Sequence, residues 1–328
     1  MRAAAPSVCA VVITYNRPGM LSRCLRALDG QTRRPDGILV VNNASAAATD
    51  RVLAAWRPTC EVVRLPDNEG SAPGFQVGLR AAVDAGYDWA WIMDDDPVPE
   101  RCALARLASL AGRVPAGEPA AFSSVQFDPA LDKYNAGFLW RGLPRAVPRT
   151  WIDRGRPYPV DLAPFCGFLV NRALVDEVGY PRPDFFARFE DYEYCLRIRA
   201  QGLAIYVDPR SRMVHPLGER NAAGHVVTRD QAWKAYYDMR NRVYTTARLR
   251  RQPAEVLQEL RFGVMQSARE VVLDARRGLP NALARIHGTV DGLTGRMGKT
   301  LDPARGGRPA RRILLDPPEP RAHGFGTR

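Results

Sequence analysis

Three consecutive carboxylates, Asp94, Asp95 and Asp96, directly follow an apolar run at residues 89–93. Like charges this close repel one another, so the arrangement favours a bound cation that compensates them. Oxygen ligands in a chain with only four histidines suit Mg²⁺ or Mn²⁺, which keep open positions for diphosphate oxygens. The triplet therefore indicates a divalent-metal site. The alternative is a solvated acidic turn, or negative charge at the start of a following helix.

A second acidic pair, Glu190 and Asp191, opens a segment with helical spacing, and His215 follows further along the chain. A carboxylate at this place is a candidate general base, whereas helix capping and the helix dipole explain the same two residues without catalysis. The imidazole of His215 is a candidate metal ligand, although a single histidine is more often a packed or surface residue. Only a fold that brings these groups together gives them one function.

The first hundred residues alternate between apolar, β-branched runs and segments with helical spacing. The apolar runs lie at 8–14, 37–41, 60–65 and 89–93, and the helical segments at 20–28, 49–56 and 73–85. Continuous apolar strands separated by helices predict an α/β fold with a mostly parallel central sheet and helices on both faces. Ligands bind such sheets at the carboxyl ends of the strands. The candidate loops are therefore 14–17, 42–45, 68–74 and 94–96.

Beyond residue 100 the pattern changes to short strands and proline-rich loops, with further helices predicted at 172–178, 190–201 and 231–277. The end of the chain is rich in proline, arginine and glycine, a composition typical of poor order. We divide the chain into a catalytic α/β domain at 1–228, a C-terminal helical region at 229–300 and a disordered basic tail at 301–328.

Seven short motifs occur in a fixed order between residues 8 and 248. They are Val-Val-Ile-Thr-Tyr-Asn-Arg at 11–17, Val-Val-Asn-Asn-Ala-Ser at 40–45, the glycine-containing segment 68–78, Trp-Ile-Met-Asp-Asp-Asp at 91–96, Phe-Glu-Asp at 189–191, His215, and Asp-Met-Arg-Asn-Arg at 238–242. With these motifs the sequence resembles the inverting glycosyltransferase family 2, whose members have the GT-A fold. Within that family it is most similar to galactofuranosyl- and rhamnosyltransferases of actinobacterial cell-wall assembly.

The resemblance implies a site for a nucleoside-diphosphate sugar and for Mn²⁺ or Mg²⁺, with Asp96 and His215 as metal ligands. The residues that it implies for the nucleotide sugar are Thr14, Tyr15, Arg17, Asn43, Asn68, Gly70, Asp94 and Asp95. Family members often have aspartate in the second loop, where this chain has Asn43. An amide both donates and accepts hydrogen bonds at a uracil or thymine edge, so UDP and dTDP both remain open.

By the same resemblance, Asp191 is the general base of a single displacement that inverts the anomeric carbon, and Glu190 is the alternative base. Arg240 and Arg242 on one predicted helix suit the diphosphate of a polyprenyl-linked acceptor, with ordinary helix-surface arginines as the alternative. Apolar residues mixed with arginines after residue 256 predict a basic amphipathic surface on an anionic membrane. A packed helical bundle or a dimer interface has the same pattern.

Composition limits the class of protein, its location and its partners. The chain has 328 residues, of which 46% are hydrophobic and 25% are charged, so it can bury a large core. No run approaches the roughly 18 apolar residues of a membrane span, and we expect a cytoplasmic protein, at the inner face of the cell membrane if it binds lipid. The net charge of +12 favours anionic partners, but the central acidic clusters argue against nucleic acid. Six singly placed cysteines predict neither a disulfide framework nor a structural zinc site.

These observations predict a metal-dependent inverting glycosyltransferase. We expect UDP-galactofuranose as the first choice of donor and dTDP-rhamnose as the second, and a glycan or lipid-linked acceptor in cell-wall or surface polysaccharide synthesis. A glycosyltransferase of natural-product tailoring and a non-enzymatic nucleic-acid-binding protein are the alternatives. A nucleotidyltransferase is disfavoured, because the loop after the first strand is Tyr-Asn-Arg-Pro and lacks the expected glycines.

Overall fold

The computed structural model of the protein describes residues 6–57, 59–215, 232–302 and 308–309. In this part of the chain the helices α1 to α10 span Pro18–Asp29, Ala47–Trp56, Ser71–Asp84, Ala103–Ala111, Arg149–Asp153, Arg172–Val178, Glu190–Ala200, Ala232–Tyr244, Pro253–Leu273 and Ala275–Thr294. The strands β1 to β14 span Val8–Thr14, Gly37–Asn42, Glu61–Arg64, Trp89–Asp94, Val98–Pro99, Ala121–Asp128, Lys133–Asn135, Phe138–Trp140, Pro144–Ala146, Tyr158–Val160, Phe168–Asn171, Ile205–Val214, Leu301–Asp302 and Arg308–Pro309. A 3-10 turn at Pro183–Phe185 precedes α7, and a π-helical turn at Thr245–Leu249 follows α8.

A ten-stranded sheet with the strand order β10-β12-β6-β11-β4-β1-β2-β3 forms the core, and β5 and β7 pair with β12 and β6. Strands β3, β2, β1 and β4 run parallel, as do β6 and β12. Strand β11 lies antiparallel between β4 and β6. The N-terminal strands are joined through helices because a parallel connection needs a crossover. The predicted α/β fold with a mostly parallel sheet is confirmed.

Both faces of the sheet are covered, as the continuous apolar strands predict. Along β1 the side chains alternate, so that Val11 and Ile13 contact one buried cluster while Ala10 and Val12 contact the other. Helices α3 and α7 cover the first face, and α1, α2 and α4 cover the second. Helix α3 lies very close to β1, because a Cβ at Gly78 would be only 3.0 Å from Val41 Cγ2 and nearer still to Val11. Gly78 is therefore a packing residue between α3 and the sheet.

Helix extends beyond residue 277, where the predicted helix at 231–277 ends, and stays within the predicted helical region at 229–300. Helix α10 runs to Thr294 although Pro280 lies inside it. Helix α10 packs closely on α8, because Gly288 and Gly292 let it approach the α8 backbone, and a Cβ at Gly292 would be 3.0 Å from Val243 Cβ. Periodicity alone gave no indication of this tertiary contact.

The predicted disordered tail at 301–328 begins too early. The backbone N–H of Leu301 donates to Tyr237 Oη at 2.9 Å, the same hydroxyl donates to the carbonyl of Leu301 at 2.7 Å, and Leu301–Asp302 pairs with Arg308–Pro309. Positions 303–307 and 310–328 lie outside the described residues, as do 229–231 of the predicted helical region. No helix in the described ranges is long and apolar enough to cross a membrane.

Candidate active site

The acidic triplet lies at the carboxyl end of β4, beside the end of β1. The parallel register pairs Ile13 with Asp94, so Thr14 lies next to Asp95 and its Oγ1 donates to Asp95 Oδ2 at 2.6 Å. Arg17 Nη1, from the following loop, lies 3.4 Å from Asp95 Oδ1 and 3.0 Å from Asp96 Oδ2. The ends of β1 and β4 thus position the triplet, and the guanidinium of Arg17 faces the carboxylates of Asp95 and Asp96.

His215 reaches the triplet through strand pairing. The two-residue strand β5 begins two positions after Asp96 and pairs antiparallel with the end of β12, Val98 opposite Val214. The next residue, His215, therefore lies beside Asp96, with Nε2 3.2 Å from Asp96 Oδ1. Residues more than one hundred positions apart are brought together by this short ladder.

The second acidic motif follows a turn with unusual backbone angles. Phe186, Arg188 and Phe189 have φ of 63°, 71° and 66°, in the left-handed region that side chains larger than glycine rarely adopt. Such conformations persist only where surrounding contacts hold them, and they concentrate at functional sites. The motif Glu190–Asp191 begins α7 directly after this turn.

Contacts from α8 hold the turn in place. Asn241 Nδ2 donates to the carbonyls of Phe185, Ala187 and Arg188 at 3.2, 2.9 and 2.6 Å. Arg240 donates to the carbonyl of Phe185 at 2.7 Å and to Asn241 Oδ1 at 2.9 Å. The buried carbonyl groups of the strained turn are thus paired by one residue pair on a neighbouring helix.

The turn is also joined to the loop that precedes α3. The backbone N–H of Ala72 donates to the carbonyl of Phe186 at 3.0 Å, and Ser71 Oγ donates to Glu190 Oε1. Gly70 makes this approach possible, since it has φ of 91° and a Cβ there would lie 2.7 Å from the carbonyl carbon of Phe186. The loop is held from the other side by Asn43, whose Nδ2 donates to the Gly70 carbonyl at 3.0 Å.

The charges of the two acidic motifs influence one another, as the pKa values of their carboxylates indicate. Burial, followed by the charges of Asp96, Asp95 and Glu190, raises the pKa of Asp94 to about 7. Burial and the neighbouring Asp191 raise the pKa of Glu190 to about 7. Burial also raises the pKa of Asp191 to about 6, with Asp94 adding to the increase. Carboxylates nearly one hundred positions apart in sequence therefore influence one another across a common site.

Asp96 and His215 behave as an ion pair. Burial raises the pKa of Asp96, but the hydrogen bond and charge of His215 and the charge of Arg17 outweigh it and leave the pKa below its ordinary value. Burial lowers the pKa of His215, but the hydrogen bond and charge of Asp96 outweigh it and leave that pKa raised. Asp96 is thus ionised at neutral pH.

The donor atoms near Asp96 fit a divalent cation. Asp96, Cys166 and His215 each place one ligand atom so that these atoms all lie within 4.8 Å of one another. His215 Nδ1 is buried and has no hydrogen-bond partner among the described residues, and the buried Asp96 Oδ1 lies 3.2 Å from His215 Nε2. Unpaired buried polar atoms are costly, and oxygen and nitrogen donors around one space suit a divalent metal.

Several residues predicted to line the nucleotide site have a different position in the structure. Thr14, Asn43 and Asp95 are almost completely buried, with exposed fractions of 1, 3 and 2%. Thr14 is bonded to Asp95, and Asn43 Oδ1 accepts from the backbone of Glu69 at 2.9 Å. The predicted contacts of these three side chains with a nucleotide are therefore corrected: they position the loops. Tyr15 and Asp94 remain partly exposed, and Arg17 is exposed at the triplet.

The predicted arginine fork at Arg240 and Arg242 is wrong. Arg240 is fully buried and bonded to backbone carbonyls, as described above. Arg242 Nε donates to Asp238 Oδ2 at 2.9 Å, its Nη1 lies 3.3 Å from Glu259 Oε2, and its guanidinium lies over the ring of Phe189. Both side chains are internal because α9 and α10 pack on α8, which the sequence pattern did not reveal.

Three residues in or near the site were missed from the sequence. Cys166 lies beside the triplet, Ser71 binds Glu190, and Asn241 supports the turn before α7. The only available signal for Asn241 was its place between two arginines in the last motif. Nothing in the sequence pairs Cys166 with Asp96, because that contact depends on the antiparallel insertion of β11.

The sheet, with carboxylates at the end of β4 and at the start of α7, has the GT-A fold. A solved structure with this fold is the mannosyltransferase PcManGT from Pyrobaculum calidifontis in complex with GDP-Man and Mn²⁺, with a TM-score of 0.54 and 15% identity over 90% of this chain and 89% of that chain. The chain belongs to glycosyl transferase family 2, whose family model matches residues 9–179. This confirms the resemblance seen in the motifs.

Two relatives of known activity are similar over most of the chain. The galactofuranosyltransferase GlfT1 of Mycolicibacterium smegmatis is 29% identical over 270 residues, which cover 78% of this chain and 88% of the relative. The dTDP-rhamnosyl transferase RfbF of Shigella flexneri is 22% identical over 243 residues, which cover 72% of this chain and 78% of the relative. Galactofuranosyl- and rhamnosyltransferases are thus both represented among the similar proteins, the latter by a protein of Shigella flexneri.

Proposed function

We propose that this glycosyltransferase uses a nucleoside-diphosphate sugar and a divalent metal, and that it inverts the configuration of the transferred sugar. The observation that carries the proposal is the meeting of the triplet, the Glu190–Asp191 motif and His215 at one end of the sheet. His215 Nε2 lies 3.2 Å from Asp96, and Asp94 adds to the raised pKa of Asp191. Glycosyl transfer requires that an anionic leaving group is stabilised and that the acceptor hydroxyl loses its proton. The two acidic motifs can serve these two requirements.

Asp191 is the general base in this proposal. Its side chain is partly exposed and accepts the backbone N–H of Tyr192 at 2.8 Å through Oδ1, so an acceptor hydroxyl can reach the carboxylate. Glu190 is 7% exposed and bonded to Ser71, which suits a role in positioning the turn. The pKa of Asp191, about 6, leaves the carboxylate ionised at neutral pH and basic enough to accept a proton.

Asp96 and His215 are the proposed metal ligands. A divalent ion supplies positive charge that stabilises the leaving nucleoside diphosphate. Asp94, partly exposed and next to the metal ligands, is placed to bind the donor ribose or a water. Arg17 faces the same carboxylates, and its side chain is 49% exposed. When the divalent ion is bound at the triplet, the guanidinium of Arg17 can turn toward the diphosphate of the donor.

We further propose UDP-galactofuranose as the donor, with dTDP-rhamnose as the second candidate. The support is similarity to a galactofuranosyltransferase at 29% identity and to a dTDP-rhamnosyl transferase at 22%. A glycan or polyprenyl-linked acceptor in surface polysaccharide synthesis fits these relatives.

We propose that α9 and α10 present a surface to a membrane, which would fit a lipid-linked acceptor. One stripe of α10 is apolar and exposed, formed by Leu279, Leu283, Ile286, Val290 and Leu293, and α9 adds Leu257, Val264, Met265 and Val272. An apolar groove of about 680 Å³ lies between the two helices. The acidic side chains Glu259 and Glu270 are neutralised by arginines, whereas Arg261, Arg269 and Arg276 are exposed. An apolar stripe with exposed arginines suits an anionic lipid surface.

Donor choice and site roles are tested together. A panel of nucleotide sugars is screened for thermal stabilisation of the full chain with and without Mn²⁺, because a ligand that binds the folded state raises its stability. Asp191→Asn is expected to abolish transfer while donor binding persists, and Asp96→Ala to lose the Mn²⁺-dependent part of donor binding. Asp176→Asn, on the exposed face of α6, is the matched control and is expected to change neither property.

Retained turnover in Asp191→Asn removes the residue from its role, and unchanged Mn²⁺ dependence in Asp96→Ala refutes the ligand assignment. NMR of the initial product gives the anomeric configuration, and retention contradicts inversion. Membrane binding is measured by co-sedimentation with vesicles of anionic or zwitterionic lipid. The double substitution Leu283→Glu and Ile286→Glu is expected to abolish binding to anionic vesicles, and undiminished binding contradicts the proposed surface.

A further inference from the structure

Cys166 occupies a fixed position beside the proposed metal ligands. It lies two residues before β11, whose antiparallel pairing with β4 places Phe168 opposite Ile92 and so brings the start of β11 to the acidic end of β4. The next residue, Gly167, donates to the carbonyl of Ile92 at 3.0 Å. The thiol is 93% buried and its Sγ donates to Asp94 Oδ2 at 3.4 Å. The sulfur therefore lies in a turn that is hydrogen-bonded to the sheet.

The sulfur and the two proposed ligands surround one space. A ligand atom of Cys166, one of Asp96 and one of His215 all lie within 4.8 Å of one another. His215 Nδ1 is buried without a hydrogen-bond partner among the described residues, so these residues do not fully satisfy the polar atoms of this cluster. Of the clusters of three or more such side chains in the described residues, this is the one whose geometry fits a metal ion.

With the sulfur of Cys166, the group of possible metal ligands contains a softer atom than a site made of carboxylate and imidazole alone. Mg²⁺ takes oxygen ligands and avoids sulfur, whereas Zn²⁺, Co²⁺ and Cd²⁺ accept oxygen, nitrogen and thiolate together. A third protein ligand also reduces the number of open positions and strengthens the binding of softer ions relative to Mg²⁺. A thiol that merely donates to Asp94 gives no such preference.

We propose that Cys166 is a third protein ligand of the metal and that it shifts the site toward thiophilic divalent ions. The inference rests on the proposed metal site at Asp96 and His215. On binding, the S–H bond breaks, the sulfur electron pair forms the bond to the metal, and the proton passes to the Asp94 carboxylate, with which the thiol is already hydrogen-bonded. Asp94 then carries the proton instead of a full negative charge beside the other carboxylates.

Spectroscopy of the metal-stripped full chain tests the inference without measuring turnover. Co²⁺ is added to the wild type, to Cys166→Ser and to Cys60→Ser, a matched change of another buried thiol. The wild type and Cys60→Ser are expected to show near-ultraviolet thiolate-to-cobalt charge-transfer absorption, and Cys166→Ser to lose it. In competition titrations Cys166→Ser is expected to lose at least tenfold in preference for Cd²⁺ over Mn²⁺, while its Mn²⁺ affinity changes little. Circular dichroism confirms that each variant is folded.

The outcomes separate this inference from the proposed function. If Co²⁺ binds the wild type without the charge-transfer absorption, or if the absorption survives in Cys166→Ser, Cys166 is not a ligand, and the site at Asp96 and His215 stands. If neither Co²⁺ nor Mn²⁺ binds the wild type, or if Asp96→Ala binds both ions as tightly as the wild type, the proposed metal site fails and the inference fails with it.

Discussion

Replacing Gly70 with alanine tests whether the loop before α3 must lie against the strained turn before Glu190. Gly70 has φ of 91°, and the added Cβ would lie 2.7 Å from the carbonyl carbon and from Cδ2 of Phe186. Gly86 provides the matched control, since it has φ of 89° and a Cβ there meets nothing within 4 Å. Both substitutions carry the same backbone strain of about 1–2 kcal/mol, so their difference isolates the contact with Phe186.

The size of that difference follows from the geometry. Ordinary van der Waals contact begins at 3.4 Å, so the turn at Phe186 must retreat by at least 0.7 Å from the present 2.7 Å. Overpacking of this kind costs about 1–3 kcal/mol. Because Phe186 is four residues from Glu190 and five from Asp191, the shift reaches the proposed base. Displacement by about 1 Å costs up to roughly 10²-fold in rate, and we expect a fall of roughly tenfold or more in kcat.

The assay combines urea unfolding with steady-state kinetics on the donor identified by the stabilisation screen. Gly70→Ala is expected to be less stable than Gly86→Ala by about 1–3 kcal/mol and to lose kcat with a small change in donor KM. Equal stability and equal kcat in the two variants would refute the reasoning, because the clash with Phe186 would then have no consequence.

Three further predictions concern the contacts and charges of the site. Asn241→Leu removes the donors to the turn before α7 and is expected to lower the free energy of unfolding by about 2–6 kcal/mol and to reduce kcat. The control Asn281→Leu loses one hydrogen bond to Glu270 and is expected to keep kcat. Equal kcat in both variants contradicts the positioning role of Asn241. Thr14→Val removes the 2.6 Å hydrogen bond to Asp95 and is expected to lower the free energy of unfolding at neutral pH by about 1.5–3 kcal/mol, measured by urea unfolding; an unchanged midpoint contradicts it. Because burial raises the pKa of Asp191 to about 6 and the base acts when deprotonated, kcat/KM is expected to fall about tenfold per pH unit below pH 6; a profile that stays flat to pH 4 excludes a base with this pKa.

The charge balance of the site has a consequence for folding. Burial raises the pKa of Asp94 from its ordinary value of 3.8, and that of Glu190 from 4.5, to about 7. Between the ordinary and the raised pKa values the folded state binds more protons than the unfolded state, so ionisation of these two groups opposes folding. Stability from these two groups is therefore greatest at low pH and decreases as the pH rises toward 7. A bound cation reverses this trend by stabilising the ionised carboxylates, which is the expected behaviour of a site built to hold charge.

The sequence by itself determined the central sheet and the location of its acidic loops. Apolar runs such as the one at 89–93 can be buried only between two helical layers, so the parallel strands and the carboxylates at their ends follow from local pattern. The order of the motifs also indicated the family that the family model confirms. These features depend on residues that are near one another in the chain or on the rule that parallel strands end at one edge.

Only the tertiary structure decided which polar side chains face the site and which support it. Thr14, Asn43 and Arg240 have the residue types of ligand-binding groups, yet each is buried and hydrogen-bonded to a neighbouring loop or turn. Their hydrogen-bond partners belong to elements far away in sequence. Such hydrogen bonds produce no periodic pattern in the sequence from which they could be predicted. Cys166 is the opposite case, an ordinary residue type that antiparallel insertion of one strand places beside Asp96 and His215.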